Sequence, residues 1–427
     1  MSFTVSSTAI EAVREPLLLP FGFKGGALTE LWQIVVRLET ADGRSAVGVG
    51  LQSVLWSDAA VFAAMSEEAG NRAMMAMTAH ALTLAEGQCY ESPAAMIETL
   101  LPAVYEYGKS VTGRKDLRKT FALNALVPID HAAWQLLAAE RGSEDLSVLA
   151  GHPAALSHRH KTLAKIPLLT YHTGADEIRR LAEAGTALFK IKIGADPEKD
   201  GDRQKMLAWD KARLSEIHEL LKDYETPLTE SGHIAYYLDA NGRYDTPERL
   251  AEFLAHAEAI GALPRIVLLE EPFPEEATYD VSRFPVRIAA DESAHSCEDV
   301  EARIAQGYGA IALKPAAKTL SVTLAMLEAA AARGVPCFVA DLTVPPQLVE
   351  FNKNVAARIA PLPGMLCGVL ESNGAQNYRS WETMVKLAAP ADMGSEGRFD
   401  IPQVFFTNGG GAYRPLAYYK GIVTKNN

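Results

Sequence analysis

The sequence predicts an α/β protein in which a parallel barrel follows a smaller α+β domain. From about residue 165 onward, short β-like runs alternate with helical segments, which is the pattern of a parallel α/β array. Before that point, strand and turn signals come first and helical periodicity follows them. The chain of 427 residues is long enough for both parts.

Residues 1–160 form the predicted front domain. A strand-like run at 32–38 is followed by the turn residues Asp42 and Gly43 and a second run at 46–50, which predicts a β-hairpin. In residues 122–139, apolar residues recur at three- and four-residue steps, and this spacing predicts a helix.

Residues 161–384 form the predicted barrel and contain eight strand-like runs. These lie at 166–169, 188–193, 236–238, 266–269, 288–290, 311–313, 337–340 and 365–370. A barrel of about 250 residues uses about 30 for each strand-helix pair. The gap after the second run is longer, so we place an insertion at about 203–234. We expect the tail, 385–427, to return to the front domain.

Some segments between the runs carry residues that begin and end helices. Thr246 precedes Pro247, a good first helical residue, and Gly261 suits the position just past the end. Ser296 can begin the helix after the fifth run.

The composition is that of a globular protein with 48% hydrophobic and 22% charged residues. A net charge of −12 disfavours nucleic acid as a partner, because that binding depends on neutralising phosphates. The longest apolar runs are strand-length, which disfavours a membrane protein.

The cysteines and the N-terminus indicate a cytoplasmic protein. Cys89, Cys297, Cys337 and Cys367 are far apart, which predicts reduced thiols rather than a zinc site. The N-terminus lacks a basic region followed by an apolar stretch, so it does not resemble a secretory signal.

Three of the predicted strands end on carboxylates, Asp239, Glu270 and Asp291. The carboxyl ends of the strands form the active face of a parallel barrel, so we expect these side chains to meet. Crowded carboxylates repel one another, and a hard divalent cation with oxygen ligands removes the repulsion. The sequence therefore predicts a Mg²⁺ site, with Mn²⁺ as a substitute. If the strand register slips by one residue, Glu271 replaces Glu270.

Lysines flank these acids in the chain. Lys190 and Lys192 share one face of a strand, because side chains alternate, and Lys314 follows the sixth run. Burial can lower the pKa of a lysine until it acts as a base near neutral pH. The alternative to an acid/base role is that these lysines and acids form an internal network of ion pairs.

Together these motifs resemble the enolase superfamily, in its muconate lactonizing enzyme subgroup (the mandelate racemase/muconate lactonizing enzyme family). The Lys-x-Lys strand, Asp-x-Asn at 239–241, Glu-Glu-Pro at 270–272, Asp-Glu-Ser at 291–293 and a late lysine occur in the family's order. The resemblance covers most of the chain. It implies a modified TIM barrel, (β/α)7β, with an α+β capping domain built from the N-terminal part and the C-terminal tail.

The resemblance also implies a role for each residue of these motifs. Asp239, Glu270 and Asp291 would bind Mg²⁺. Asn241 and Glu292 would contact these ligands rather than the ion. The implied substrate is a small-molecule carboxylate, and the implied assembly is a homo-oligomer.

In this family, lysines act as acid and base on the proton α to a carboxylate, through an enediolate that Mg²⁺ stabilises. The resemblance assigns that pair to Lys192 and Lys314, with Lys190 as an electrostatic helper. Opposed lysines fit a racemase or epimerase of an amino-acid derivative or a related acid. They also fit a cycloisomerase or a dehydratase. From other classes, a Schiff-base barrel aldolase and a non-catalytic binding protein remain alternatives.

Residues near the expected barrel mouth are candidates for substrate contact. Asp341 and Glu371 end the last two strands. His295 either lines the pocket or caps the next helix, and His172 is expected to be structural. The glycine-rich segment with Phe21, Phe23 and Lys24 resembles a mobile capping loop.

The chain departs from its relatives in places. Dipeptide epimerases carry Asp-x-Asp at the last strand to hold the substrate's ammonium, where this chain has Glu371-Ser372-Asn373. The mandelate racemase branch uses a late histidine, where this chain has Lys314 and then Asp341. Gln135 follows Trp134, where an acid is expected.

Overall fold

The N-terminal part of the chain forms an antiparallel sheet. The structure is a computed structural model that describes residues 2–23, 26–388 and 391–424. The strands of this sheet pair in the order β3-β2-β1-β4. They are β1 (Phe3–Phe23), β2 (Gly26–Thr40), β3 (Ser45–Gln52) and β4 (Cys89–Tyr90). The predicted turn joins β2 to β3, with Gly43 at a φ of +85° that glycine adopts readily.

Six helices accompany this sheet. They are α1 (Val54–Ser57), α2 (Ala59–Ala64), α3 (Glu67–Ala85), α4 (Pro93–Thr112), α5 (Lys119–Arg141) and α6 (Leu146–Leu149). The helix predicted at 122–139 is α5, and its residues from Thr120 to Ala138 are all buried. It lies against the open edge of the sheet, strand β3.

Polar side chains of α5 bind the backbone of β3. Gln135 accepts a hydrogen bond from Val47 N at 3.1 Å and donates one to Val47 O at 2.9 Å. Asn124 likewise donates to Leu51 O at 2.7 Å. These side chains satisfy edge groups that another strand would otherwise pair. This explains why an amide rather than an acid follows Trp134.

Gly48 in β3 permits this close packing. A Cβ atom there would lie 1.9 Å from Pro128 O and 2.5 Å from Ala132 N. Both of these atoms belong to the backbone of α5 and have little freedom to move.

The second sheet has ten strands, in the order β14-β5-β13-β12-β11-β10-β9-β8-β7-β6. Neighbouring strands are parallel except for the pair of β14 with β5. The strands are β5 (Thr162–Ile166), β6 (Leu168–Leu169), β7 (Leu188–Lys192), β8 (Ala235–Asp239), β9 (Ile266–Glu270), β10 (Ile288–Ala290), β11 (Ala310–Leu313), β12 (Cys337–Val339), β13 (Gly368–Glu371) and β14 (Arg398–Asp400).

The sheet closes into a barrel at Pro167. Ser372 N donates to Ile166 O, and Lys190 N donates to Pro167 O, so strands on both sides bind this short stretch. Strands β5 and β6 therefore act as one barrel strand, and with β7–β13 they make the eight that the sequence predicts. The α/β barrel with a separate N-terminal sheet is confirmed.

Helices cover the outside of the barrel. They are α7 (Ala175–Glu183), α8 (Arg203–Leu221), α9 (Pro247–Ala259), α10 (Cys297–Ala305), α12 (Leu320–Ala332) and α13 (Pro346–Ala356), whereas the short α11 (Pro315–Lys318) follows β11 at the barrel mouth and lies against α5. Thr246 and Ser296 cap α9 and α10 as predicted. The connection at 271–287, all of it described, contains no helix, which explains the short spacing between β9 and β10.

The insertion predicted at about 203–234 is wrong for most of its length. Residues 203–221 are α8, the regular helix between β7 and β8. The extra length comes from the loops on either side of α8 and from the helix itself, which has 19 residues. A gap in strand spacing cannot separate a long helix from an inserted segment.

The last part of the chain contacts both sheets. It contains α14 (Gly374–Asn377), α15 (Trp381–Leu387), α16 (Phe405–Asn408) and α17 (Ala417–Thr424). Strand β14 pairs with β5 of the barrel, whereas Tyr419 and Val423 of α17 pack on Val35, Val47 and Val49 of the first sheet. The domain boundaries at 160 and 384 stay predictions.

Among the described residues, no helix combines the length and apolar character needed to span a bilayer. All four cysteines are free thiols, as predicted.

We expect Gly48→Ala to lower the free energy of unfolding by about 3 kcal/mol, because the added methyl group overlaps the backbone of α5. Urea unfolding followed by circular dichroism measures the change. Gly421→Ala is the matched control: its Cβ meets nothing within 4 Å, and alanine favours the helix α17. Equal unfolding midpoints for both variants would contradict the packing of α5 on β3.

Candidate active site

The predicted lysines and acids lie together at the carboxyl ends of the barrel strands. Lys192 and Asp239 end β7 and β8, and Glu270 ends β9. Asp291 and Lys314 directly follow β10 and β11. All five are less than 10% exposed. In an eight-stranded barrel, the second and sixth strands lie opposite each other, so β7 and β11 place Lys192 and Lys314 on opposing walls.

Lys190 lies among three carboxylates. Its Nζ is 2.9 Å from Asp239 Oδ2, 3.0 Å from Glu270 Oε2 and 3.1 Å from Glu371 Oε2. Burial alone would lower the pKa of Lys190, but these carboxylates raise it well above its ordinary value. The three carboxylates therefore favour the protonated form of Lys190.

Lys192 belongs to a polar chain that crosses the barrel mouth. Its Nζ is 2.6 Å from Asp239 Oδ2 and also donates to Asn241 Oδ1. Asn241 in turn donates from Nδ2 to Glu292 Oε1 at 3.1 Å. Asn241 thus links the lysine on one wall to an acid near the other.

Lys314 lies between an acid and an aromatic ring. Its Nζ is 2.5 Å from Asp291 Oδ2 and 4.5 Å from the ring centre of Trp56. Burial lowers the pKa of Lys314, but Asp291 and Glu270 raise it by more, so it lies above its ordinary value. The expected net lowering of the lysine pKa is therefore not found for Lys314, because the nearby acids outweigh the effect of burial.

Lys318 is a further lysine of the site that the sequence interpretation missed. Its Nζ donates to Asp291 O at 2.6 Å and to Asp291 Oδ1 at 3.1 Å, and its side chain is fully buried. The signal in the sequence is its position four residues after Lys314, at the end of the short helix α11.

Three of the acids are close enough to share one cation. Ligand atoms of Glu270, Asp291 and Glu292 lie within 4.8 Å of one another. Asp239 is outside this group, and its Oδ2 contacts Lys190 and Lys192. The cluster therefore contains Glu270 and Asp291 of the predicted trio. Its third member is Glu292, which the sequence predicts to support the ligands rather than to bind the ion.

The charge on this cluster fits a divalent cation. Burial, opposed by Lys190, raises the pKa of Glu270 to about 8, and Asp291 contributes to the rise. A cation stabilises the ionised form of a buried carboxylate, and this form is costly without one. Oxygen atoms are the ligands that Mg²⁺ prefers.

Glu271 faces away from the cluster. Its Oε2 accepts hydrogen bonds from Asp291 N at 2.7 Å and from Ser293 Oγ at 3.1 Å. Strand pairing places Asp239 directly beside Glu270. The alternative in which Glu271 replaces Glu270 is therefore wrong, and Glu271 instead holds the loop after β10.

Asp341 ties the last two strand ends together. Its carboxylate accepts hydrogen bonds from Leu342 N at 2.8 Å, Val344 N at 3.2 Å and Asn373 N at 2.9 Å. Burial raises the pKa of Asp341 to about 6. Glu371 Oε2 accepts from Asp341 N at 3.1 Å in addition to its contact with Lys190.

A cavity lies above these groups. Lys190, Lys192, Lys314, Asp239, Asn241, Asp291, Asp341 and Glu371 line it, and so do apolar residues of the β1–β2 hairpin: Leu17, Phe21, Leu28 and Leu31. The front domain also contributes Ser53 and Trp56. The predicted capping segment is thus the end of this hairpin, and Phe21 lies in the cavity wall. The side chain of Phe23 and all of Lys24 are outside the described residues.

The two histidines do not line the cavity. His295 Nε2 is 3.6 Å from Glu275 Oε2, and the His295 backbone N–H binds Asp299 at the start of α10. The expected contact of His295 with substrate is therefore not supported. His172 is exposed after the first barrel strand.

Comparison with known proteins gives three results. Residues 174–361 match the family described as enolase C-terminal domain-like. An aromatic dipeptide epimerase from Herpetosiphon aurantiacus is 26% identical over 377 residues, which cover 84% of this chain and 87% of the relative.

The third result comes from solved structures. A mandelate racemase/muconate lactonizing protein from Herpetosiphon aurantiacus aligns with a TM-score of 0.65 at 19% identity, covering 93% of this chain and 96% of that one. A dipeptide epimerase from Cytophaga hutchinsonii, complexed with Mg and the dipeptide D-Ala-L-Val, aligns with a TM-score of 0.63 at 17% identity, covering 88% of each chain. These likenesses show the fold.

We expect Lys318→Met to lower the free energy of unfolding by about 3 kcal/mol, because it removes a buried cation that two oxygens of Asp291 accept. Urea unfolding without added metal measures this. Lys222→Met, which removes an exposed lysine paired with Glu219, is the control and should unfold like the wild type. An unchanged midpoint for Lys318→Met would show that Asp291 does not depend on it.

Proposed function

We propose that this chain, which belongs to the enolase superfamily in its mandelate racemase/muconate lactonizing enzyme subgroup, is an isomerase that racemises or epimerises an amino-acid derivative. The reaction would move the proton α to the substrate carboxylate. The observation that carries the proposal is the placement of Lys192 and Lys314 on opposite walls, with acids between them. The likeness to an aromatic dipeptide epimerase supports the same class of reaction.

The two lysines would act in turn. A neutral amine on one wall takes the α-proton, and the ammonium on the other wall returns a proton to the opposite face of the carbon. The configuration at that carbon is then inverted. Lys192 and Lys314 must begin each turnover in opposite protonation states, which exchange as the reaction proceeds.

The remaining charges would stabilise the negative charge that the substrate carboxylate gains. Lys190 stays protonated beside Asp239, Glu270 and Glu371, so it offers a fixed positive charge. Bound Mg²⁺ would supply further positive charge to the substrate carboxylate and raise the acidity of the neighbouring carbon.

Glu270 and Asp291 are the first candidates to hold that ion, since both the resemblance and the cluster include them. We assign the third position to Asp239 rather than Glu292. Asp239 pairs directly with Glu270 across neighbouring strands, whereas Glu292 already accepts the amide of Asn241. The ion would compete with Lys190 for Asp239 and Glu270.

The walls of the cavity favour an amino-acid derivative over other acids. Leu17, Phe21, Leu28 and Leu31 present an apolar surface, which suits an apolar side chain and disfavours the hydroxyl-rich acids typical of dehydratases. An aldolase would need a neutral lysine to form a Schiff base, and borohydride trapping with substrate tests for it. A non-catalytic binding protein would show no α-proton exchange.

We expect each lysine to control exchange from one face of the substrate. In D₂O, Lys192→Ala should slow α-proton exchange of one epimer by about 10³-fold, and Lys314→Ala that of the other. Proton NMR of both epimers of each acid in a panel of N-acyl amino acids and dipeptides measures this. Lys222→Ala is the control. If both active-site variants exchange at the wild-type rate, the assignment of the two bases fails.

We expect Mg²⁺ to bind in the absence of substrate. Isothermal titration calorimetry should show at least about tenfold weaker binding for Glu270→Gln, Asp291→Asn and Asp239→Asn, because each removes a charged ligand. Glu292→Gln should have a smaller effect. If Glu292→Gln weakens Mg²⁺ binding more than Asp239→Asn does, the third ligand is Glu292 rather than Asp239. Chelation should abolish the exchange activity and leave the fold intact by circular dichroism.

A further inference from the structure

An acid outside the cavity binds the backbone directly after Lys192. Asp210 lies in helix α8, is 1% exposed and does not line the cavity. Gly194 N donates to both of its carboxylate oxygens, at 2.8 and 2.9 Å, and Ala195 N donates to Oδ1 at 3.4 Å. These two residues lie just beyond Lys192, the last residue of β7. Asp210 therefore fixes the backbone at the end of this strand.

The same acid also binds the loop after the neighbouring strand β8. Tyr244 OH donates to Asp210 Oδ2 at 2.9 Å, and Tyr244 lies three residues after Asn241 in this loop. The loops after β7 and β8 contact each other, since a Cβ atom at Gly194 would lie 2.5 Å from Arg243 Cβ. From the outside of the barrel, Asp210 therefore joins the end of β7 to the end of β8.

The chemistry of this contact favours an acid although its burial is costly. Burial raises the pKa of Asp210 to about 7, against hydrogen bonds from Gly194 and Tyr244 that lower it. A carboxylate has two acceptor oxygens, so it accepts from the backbone N–H groups and the hydroxyl at once, whereas an asparagine side chain has only one. The loss of this carboxylate would leave buried donors without an acceptor.

The position of the Lys192 amine depends on the alignment of the two strand ends. Lys192 Nζ is 2.6 Å from Asp239 Oδ2 and also donates to Asn241 Oδ1, and both partners belong to the end of β8. Strand pairing places Lys192 beside Asp239, and Ile193 N donates to Asp239 O at 3.0 Å. A shift of β7 against β8 would move the amine relative to these partners, and a displacement of about 1 Å can lower a rate about 10²-fold.

We propose that Asp210 is a positioning residue for Lys192: it holds the ends of β7 and β8 in register, so that this amine faces the reacting carbon of the substrate. This inference rests on the proposed function. Asp210 itself neither touches the substrate nor exchanges a proton with it. Lys314 is held separately, because it follows β11 on the opposite wall and contacts Asp291 and Trp56. The loss of Asp210 should therefore slow proton transfer on one face of the substrate only.

Hydrogen exchange of the backbone tests the contact without any substrate. In Asp210→Ala, mass spectrometry should show about fivefold faster amide exchange in the peptide 188–195, because two buried N–H groups lose their acceptor. Asp202→Ala is the matched control: Asp202 begins the same helix and accepts from Gln204 N and Lys205 N. This control should leave the peptide unchanged. Equal exchange of 188–195 in wild type and Asp210→Ala would overturn the inference.

Exchange of the substrate α-proton in D₂O tests the positioning role. The assay uses the epimer whose exchange Lys192→Ala slows, from the panel of N-acyl amino acids and dipeptides. For this epimer, Asp210→Ala should lower kcat about tenfold and change KM by less than about twofold. The other epimer should exchange within about twofold of the wild-type rate.

Two milder variants keep this test independent of any loss of folding in Asp210→Ala. Asp210→Asn keeps one acceptor oxygen, so it should recover part of the rate. Tyr244→Phe removes only the hydroxyl and leaves the backbone bonds of Gly194 and Ala195 in place, so it should slow the same epimer by a smaller factor.

The outcomes separate this inference from the proposed function. If the Asp210 variants slow both epimers equally, or slow neither, Asp210 does not position Lys192 and the proposed function still stands. If the wild type exchanges neither epimer of any acid in the panel, the proposed function fails and this role fails with it.

Discussion

The ammonium of Lys190 is the interaction on which the barrel mouth depends. It lies within 3.1 Å of oxygens from Asp239, Glu270 and Glu371, which come from three different strands. Without it, these buried carboxylates would lack their shared positive partner, which is strongly destabilising. The protonated form of Lys190, which these carboxylates favour, offsets part of the negative charge on the floor of the cavity. Burial, with a smaller contribution from Asp291, nevertheless raises the pKa of Glu270 to about 8, so a divalent cation suits this place.

The front domain completes the cavity through its packing on the barrel. Helix α5 binds the edge strand β3, which runs directly into the segment that carries Ser53 and Trp56. Asp130 of α5 accepts hydrogen bonds from Leu320 N at 2.7 Å and Ser321 N at 3.2 Å, so the same helix also binds the barrel. Trp134 Nε1 adds a bond to Ser321 Oγ at 3.1 Å. One helix thus sets the position of the cavity roof relative to the lysines below it.

The sequence predicts what depends on strand periodicity and chain order. Alternation along β7 places Lys190 and Lys192 on one face, and the eight runs place the lysines and acids on successive strands. It does not predict residues that reach the site from loops or short helices, or pKa shifts that depend on distances between side chains. Lys318 was missed because it lies in a short helix after the strand end. The raised pKa of Lys314 depends on a separation of 2.5 Å from Asp291, which no spacing in the sequence reveals.

The lining of the cavity comes from two groups of elements. Its charged floor comes from the ends of β7 to β11, which carry Lys190, Lys192, Asp239, Asp291 and Lys314. The rest of the lining comes mainly from the β1–β2 hairpin and from the segments at the ends of β12 and β13. In this chain those ends carry a neutral amide, Asn373, and two acids, Asp341 and Glu371, that other groups of the protein already bind. Under the proposed function, we expect substitutions in these segments to change which acid binds, while the lysines and acids of the floor remain as they are.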